Sequence, residues 1–105
     1  STDFHQLETS KGRTRWLMEH TDGSLSVLIE TQARRRSELG GRFQWVVTAT
    51  ITVIGKEGDP LLLRVRLPTT LPHIHQGERE ALTSVARQLA THTATQLARY
   101  QRGAE

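Results

Sequence analysis

Apolar and polar residues alternate in four successive runs between residues 12 and 68, and this alternation predicts four β-strands. The clearest run is RFQWVVTATITVI, residues 42–54, where β-branched and aromatic residues dominate, as is typical of strands. Two earlier runs meet at Asp22-Gly23, a dipeptide that favours the positive φ angles of a two-residue hairpin turn. The fourth run, LLLRVRLP at residues 61–68, follows the turn-rich segment GKEGDP.

The spacing of apolar residues changes to three and four positions from Glu78 to about Arg102, which predicts an amphipathic helix. Residues 1–11, STDFHQLETSK, show no clear period and are predicted to form an irregular N-terminal arm. The chain is therefore expected to be α+β. Residues 12–105 are expected to form a single ββββα domain, in which a four-stranded antiparallel meander sheet carries one long C-terminal helix packed on one face.

The phase of the alternation also assigns side chains to the two faces of the predicted sheet. Around the first turn, Arg15 is expected to oppose Glu30 on the face away from the helix. The second hairpin is expected to set Ile51 against Val65 under the helix. Because one helix covers only one side of a sheet, the other side must face water, a partner subunit or a ligand.

Arginine accounts for 12 of the 14 basic residues, and the formal net charge is +3. Its planar fork of donors suits phosphates and carboxylates, but a GC-rich coding sequence would favour arginine equally. The open face is expected to gather arginines between threonine hydroxyls, a combination that suits phosphate oxygens. These arginines are Arg13, Arg15, Arg64 and Arg66.

The stretch QARRRSELGGRFQW, residues 32–45, carries the densest charge. If Ala33 opposes Phe43, residues 34–42 form a long loop that bends at Gly40-Gly41. A basic hairpin loop of this kind can reach along a nucleic-acid backbone, and it is equally typical of a solvated loop. The arginines predicted to bind from this loop are Arg34, Arg35, Arg36 and Arg42.

Most catalytic chemistries find no support in the sequence. The chain has no cysteine, which excludes a disulfide framework, a thiol nucleophile and any cysteine-ligated metal. His73 and His75 could offer two metal ligands near Glu78 or Glu80, but two-ligand patterns are frequent by chance. No carboxylate pairs with a nucleophile, and no phosphate-loop motif follows the paired glycines. We therefore predict no enzyme activity, no cofactor and no metal site.

Two functional hypotheses remain. The first is a small, homodimeric accessory protein that binds the phosphate backbone of DNA or RNA through the arginine-rich loop and the open sheet face. The second is a non-enzymatic protein-binding module, such as an inhibitor or an assembly adaptor. In that case the open face makes the dimer or partner contact through its apolar residues, which are Leu17, Leu28, Val46 and Leu62.

The expected environment of the chain follows from segments that it lacks. No run approaches the roughly 18 apolar residues of a membrane span, and residues 1–12 are polar without the pattern of a secretory signal. We therefore expect a cytoplasmic protein without membrane contact. Trp16, Phe43 and Trp45 are expected to face the helix, which favours phosphate contacts over the base stacking of many single-strand binders.

Overall fold

Five antiparallel strands and one helix make up the part of the chain that is described. The structure is a computed structural model. It describes the backbone of residues 2–20, 23–56 and 59–104, and the side chains of these except residues 2–4, 8, 20, 103 and 104. The elements are β1 Thr2–Ser10, β2 Arg13–His20, β3 Leu25–Leu39, β4 Arg42–Gly55, β5 Leu61–Leu71 and α1 Glu78–Ala104. The strands form one meander in the order β1-β2-β3-β4-β5. The predicted α+β fold with a C-terminal helix is confirmed, but the sheet has one strand more than predicted.

The additional strand is β1, so the prediction of an irregular arm over residues 1–11 is wrong. Thr2–Ser10 pair along β2, and the register shifts between Gln6 and Glu8. The shift leaves Leu7 in a bulge, where the alternation of side chains between the two faces is interrupted. Since the segment is also mostly polar, its sequence shows no period of two.

Helix α1 crosses β3, β4 and β5. We call the face of the sheet toward α1 the inner face and the opposite one the outer face. The core lies between the helix and the centre of the sheet, where the inward residues of β4 are fully buried. Those core residues are Val47, Ala49, Ile51 and Val53 of β4, packed with Ala81, Val85 and Leu89 of α1.

The start of α1 is stabilised by hydrogen bonds at Gly77. The carbonyl of Gly77 accepts the first helical hydrogen bond from the N–H of Ala81, at 3.0 Å. The N–H of Gly77 in turn donates to Oε2 of Glu80, at 2.8 Å, as in a capping box. This hydrogen bond lowers the pKa of the Glu80 carboxyl, because it favours the charged form. The predicted helix start at Glu78 is confirmed.

The β2–β3 hairpin has its predicted register, whereas the β4–β5 hairpin does not. Arg15 pairs with Glu30 as predicted, although Asp22 of the predicted turn lies outside the described residues. In the β4–β5 hairpin the register differs by two residues, because Ile51 pairs with Leu63 and not with Val65. A displacement of two leaves every side chain on its predicted face, since alternation determines only which face a residue occupies.

The long basic loop predicted for residues 34–42 is wrong. Strands β3 and β4 remain paired as far as Leu39 and Arg42, and Ala33 pairs with Val47 and not with Phe43. Only Gly40-Gly41 form the turn, with φ angles of 60° and 76°. Positive φ at both central residues is the geometry of a type I′ turn, so the paired glycines permit a tight hairpin instead of a mobile loop.

Candidate nucleic-acid interface

The outer face is ordered in rows of side chains that run across the strands. Because successive residues on one face of a strand are two positions apart, neighbouring rows lie about 7 Å from each other. Two neighbouring rows, which we call the basic rows, contain an arginine at each end. They are Arg15, Glu30, Thr50 and Arg64 in one row, and Arg13, Gln32, Thr48 and Arg66 in the next.

Two adjoining depressions in the outer face bring six of the eight predicted arginines together. Both are lined by Gln32 and Thr48, so they form one continuous concave surface. The first contains Arg13, Arg15 and Arg64, and the second contains Arg34, Arg36 and Arg66.

The arginines stand at the sides of this surface, and its floor is polar except for Val46. The arginines of β2 and those of β5 are separated by three strand spacings, or about 14 Å. Between them lie the hydroxyls of Thr48 and Thr50 and the amide of Gln32. All of these groups can donate hydrogen bonds to anionic oxygens, as the guanidinium groups can.

A β-bulge at Arg36 shapes the second depression. The β3–β4 register shifts between Arg35 and Ser37, so two consecutive residues of β3 oppose one residue of β4. Ser37 lies on the outer face, where its Oγ donates to Oε1 of Gln44 at 2.8 Å. Arg36 also lines the outer surface beside Gln44 and Val46. The bulge therefore adds polar groups to the outer face at the place where the hairpin extends beyond β2.

Two of the eight predicted arginines do not join this surface. Arg35 lies on the inner face, where its guanidinium carbon is 5.3 Å from the ring centroid of Phe43, as in a cation–π contact. Arg42 is exposed next to the Gly40-Gly41 turn and lines neither depression. The positions of Arg35 and Arg42 follow from the pairing of β3 with β4. The prediction of a loop over residues 34–42 did not include this pairing.

The continuous surface is far more basic than the chain as a whole. Its six arginines and Glu30 give +6 − 1 = +5, against +3 for the whole sequence. The remaining residues therefore sum to −2, and the cationic charge is concentrated on one side of the sheet. Glu30 partly offsets it, because Oε2 of Glu30 is 3.3 Å from Nε of Arg15.

The row next to the basic rows, on the side away from the Gly40-Gly41 turn, is largely apolar. Leu17, Leu28 and Leu62 share one row with Thr52, and we call these three leucines the apolar row. Leu62 is 62% exposed. The outer face thus carries six of the predicted arginines and three of the four predicted apolar residues, with the arginines nearer the Gly40-Gly41 turn. The fourth apolar residue, Val46, lies among the arginines of the second depression.

Aromatic rings are absent from the described side chains that line the two depressions. Phe43 and Trp45 are buried and belong to the core, and Trp16 packs against it while partly buried, as predicted. The side chain of Phe4 lies outside the described residues. Within the described residues, the surface offers donors and positive charge and no stacking platform.

The two histidines near the helix start do not form a metal site with other described side chains. The rings of His73 and His75 are stacked, with centroids 5.3 Å apart. The described residues contain no group of three or more side chains placed to hold a metal ion. Helix α1, over the residues described, is not apolar enough to cross a membrane.

Gln32 is a floor residue that the sequence prediction missed. Its position follows from the alternation of β3, since it lies two residues beyond Glu30 on the same face. The signal is therefore present in the sequence, since Gln32 precedes the predicted loop at residues 34–42, but only the pairing of β3 with both of its neighbours shows that Gln32 lies between Arg13 and Thr48. Thr14 and Thr31 line the first depression as well, although they belong to the opposite phase of the alternation.

Comparisons by sequence and by structure matched no protein family, no curated protein and no solved structure.

Proposed function

We propose that this protein is a small, non-enzymatic accessory protein that binds the phosphate backbone of DNA or RNA on the basic rows of its outer face. The observation that carries the proposal is the continuous concave surface with six arginines, on the side of the sheet that α1 leaves open. The proposal includes a cytoplasmic location, which is an expectation from the sequence alone.

The composition of the surface favours backbone contacts over base recognition. Guanidinium groups, threonine hydroxyls and the Gln32 amide can all donate to phosphate oxygens, and such contacts position a protein without reading sequence. The described side chains of the depressions include no aromatic ring on which a base could stack. Binding is therefore expected to be insensitive to sequence and to weaken steeply with added salt.

The experiment compares two triple variants that remove the same charge from opposite sides of the molecule. The outer variant carries Arg13→Ala, Arg64→Ala and Arg66→Ala. The control carries Arg79→Ala, Arg87→Ala and Arg99→Ala on α1. Fluorescence anisotropy with labelled single- and double-stranded DNA and RNA, over a series of salt concentrations, gives the affinity and its salt dependence for each.

We expect the outer variant to lose at least about tenfold in affinity and the slope of log K against log salt to fall by about 2 to 3, because each lost phosphate contact removes about 0.9. The helix variant should keep most of its affinity. If both triple variants lose affinity equally, or if the wild-type protein binds no oligonucleotide at low salt, the proposed interface is incorrect.

A second function is favoured by the apolar row. Leu62 is largely exposed beside the partly buried Leu17 and Leu28, and such a patch is typical of a protein contact. In this case the outer face binds a protein partner or a second copy face to face, with the arginines facing acidic groups. This alternative predicts no oligonucleotide binding at low salt, and self-association or partner binding that is weakened by Leu28→Ser.

A further inference from the structure

Strand β5 forms one edge of the sheet, and its side away from β4 carries no strand among the described residues. The edge is 11 residues long, from Leu61 to Leu71, and its pairing with β4 has no register shift. The opposite edge, β1, is interrupted by the bulge at Leu7. Bulges commonly protect sheet edges, whereas a long regular edge is a template for another strand.

Three inward apolar side chains in the first half of β5 are incompletely covered. Ala49, Ile51 and Val53 of β4 are fully buried on the inner face. Their partners on β5 are only partly buried, although they are apolar and also face α1. These partners are Val65, Leu63 and Leu61, in the same order. The apolar layer therefore continues past the edge of the helix to the edge of the sheet.

Pro68 indicates which groups of β5 point outward. A proline has no N–H for a sheet ladder, and within sheets it occurs where its nitrogen faces the open edge. Residues that lie two, four or six positions before Pro68 direct their backbone groups to the same side of the strand as Pro68 does. By this argument Leu62, Arg64 and Arg66 direct their backbone N–H and C=O groups away from β4.

We propose that β5 pairs antiparallel with β5 of a second copy of this chain, across a two-fold axis at Leu63. Leu63 then opposes Leu63 of the second copy, and Leu61 opposes Val65, which extends the apolar layer of the inner face across the axis. On the outer face Leu62 opposes Arg64, and both have outward backbone groups that can exchange hydrogen bonds. A two-fold interface of this kind is self-complementary by construction.

The charges on β5 select this register. An axis at Arg64 sets Arg64 against its own copy, and an axis at Val65 sets Arg64 against Arg66; like charges directly opposite each other are destabilising. An axis at Leu62 leaves only Leu61 to Leu63 in the ladder. Axes at Leu67 or Pro68 avoid such pairs but bring Pro68, which has no N–H, into the new ladder. Among the axes that leave Pro68 outside the ladder, the axis at Leu63 gives the longest ladder with no arginine opposite another arginine.

The dimer joins the two sheets edge to edge. Because the axis is perpendicular to the sheet, the outer faces of both copies lie on the same side, and so do their basic rows. The pairing thus differs from the face-to-face contact of the second candidate function, in which the outer faces are buried. The edge-to-edge pairing of β5 does not depend on nucleic-acid binding.

Cysteine cross-linking tests the position of the axis, since the chain contains no cysteine of its own. Residues opposite each other in a non-hydrogen-bonded antiparallel pair have Cα atoms about 4.5 Å apart, within the range of about 4.4–6.8 Å for disulfides. Under mild oxidation, Leu63→Cys should give a disulfide-linked dimer at least tenfold faster than Leu61→Cys or Thr70→Cys. Equal rates at the three positions, or no cross-linked dimer from Leu63→Cys, would overturn the proposal.

Sedimentation velocity provides a second measurement that does not require cysteine. The wild-type protein should form dimers at micromolar concentration. Leu62→Lys should be monomeric, because it sets a lysine against Arg64 of the second copy, whereas Leu28→Ser on the neighbouring outer face should leave the dimer intact. A wild-type protein that stays monomeric, or a dimer dissociated by Leu28→Ser and not by Leu62→Lys, would overturn the edge pairing.

Discussion

Arg15 and Glu30 lie directly opposite each other on β2 and β3, and Nε of Arg15 is 3.3 Å from Oε2 of Glu30. Their side chains are 39% and 45% exposed, so the pair contributes only about 0.2–1 kcal/mol to the free energy of unfolding. Within the two arginine-lined depressions Glu30 is the acidic residue. If phosphate binds on this surface as proposed, Glu30 competes with it for Arg15.

Glu30→Gln is expected to strengthen oligonucleotide binding. The substitution releases Arg15 from Glu30 and removes a negative charge from the floor, so affinity should rise about threefold to tenfold at low salt, which corresponds to roughly 1 kcal/mol. The log–log salt slope should steepen by about 0.9, for one further phosphate contact. Fluorescence anisotropy over a salt series measures both quantities.

Glu19→Gln is the matched control for Glu30→Gln. Glu19 lies on the same strand face but two rows away from Arg15, outside the depressions. It changes the net charge by the same amount, so a gain in affinity that is equal for the two variants would mean that overall charge, and not release of Arg15, governs binding.

Changes at Gly40-Gly41 test whether a rigid hairpin is sufficient for binding. Gly40→Asn leaves an Asn-Gly dipeptide, the preferred type I′ turn, and should keep both stability and affinity. Replacing both glycines by alanine should cost about 1–2 kcal/mol per residue, because L-residues avoid positive φ. Chemical denaturation measures the stability, and anisotropy measures the affinity of the folded variants. A loss of affinity in the stable Gly40→Asn variant would indicate that binding needs a flexible loop.

The faces of the sheet could be predicted from the sequence, but the pairing registers could only partly be. Alternation determines whether a residue such as Arg64 lies on the inner or the outer face. It therefore predicts that the arginines of β2 and β5 lie on the outer face. A displacement by two residues preserves every face, so alternation could not tell that Ile51 pairs with Leu63 and not with Val65.

The β3–β4 hairpin shows why a run of arginines is hard to interpret from sequence alone. Charged residues suggest a loop, but they also occur on exposed strand segments, where they protect the edge of a sheet. Beyond Gln32, strand β3 has no β2 residue beside it, and Arg34 to Arg36 lie in this segment. The bulge that separates Arg35 from Ser37 has no signal in the sequence.

The helix also contains polar residues where an apolar stripe was expected. Ala86 and Ala90 fit the predicted stripe but are exposed, whereas Thr93 and Gln96 are buried. Thr93 tolerates burial because its Oγ1 donates to the carbonyl of Leu89 at 2.9 Å. A pattern of apolar residues could not predict this side chain, because its hydroxyl is satisfied within its own helix.

Gly55→Ala is expected to destabilise the protein through Tyr100. A Cβ atom at Gly55 would overlap the hydroxyl of Tyr100 and lie 2.8 Å from its Cζ. Displacement of this ring should cost about 1–3 kcal/mol, as overpacking generally does. Urea denaturation should show a lower midpoint with an unchanged slope.

The double-mutant cycle with Tyr100→Leu isolates this contact. In the Tyr100→Leu background the space beside Gly55 is larger, and alanine is favoured over glycine within a strand by about 0.5–1 kcal/mol. Gly55→Ala should therefore become neutral or stabilising there. A cost that is equal in both backgrounds would contradict the close packing of Tyr100 on Gly55.

The hydrogen bond between Gly77 and Glu80 makes the stability of the helix start depend on pH. The N–H of Gly77 lowers the pKa of Glu80 from its ordinary value of 4.5, so its stabilisation is fully present above that value. This stabilisation is lost as the pH falls from 4.5 through the lower pKa of the folded state, because in that range the unfolded state binds a proton that the folded state does not. The thermal midpoint of the wild type should exceed that of Glu80→Gln at neutral pH, and the difference should shrink as the pH falls below 4.5. Glu78→Gln removes a charge from the same turn without breaking this hydrogen bond. A difference for Glu80→Gln that stays constant with pH, or that Glu78→Gln reproduces, would mean that the cap does not act through the carboxylate of Glu80.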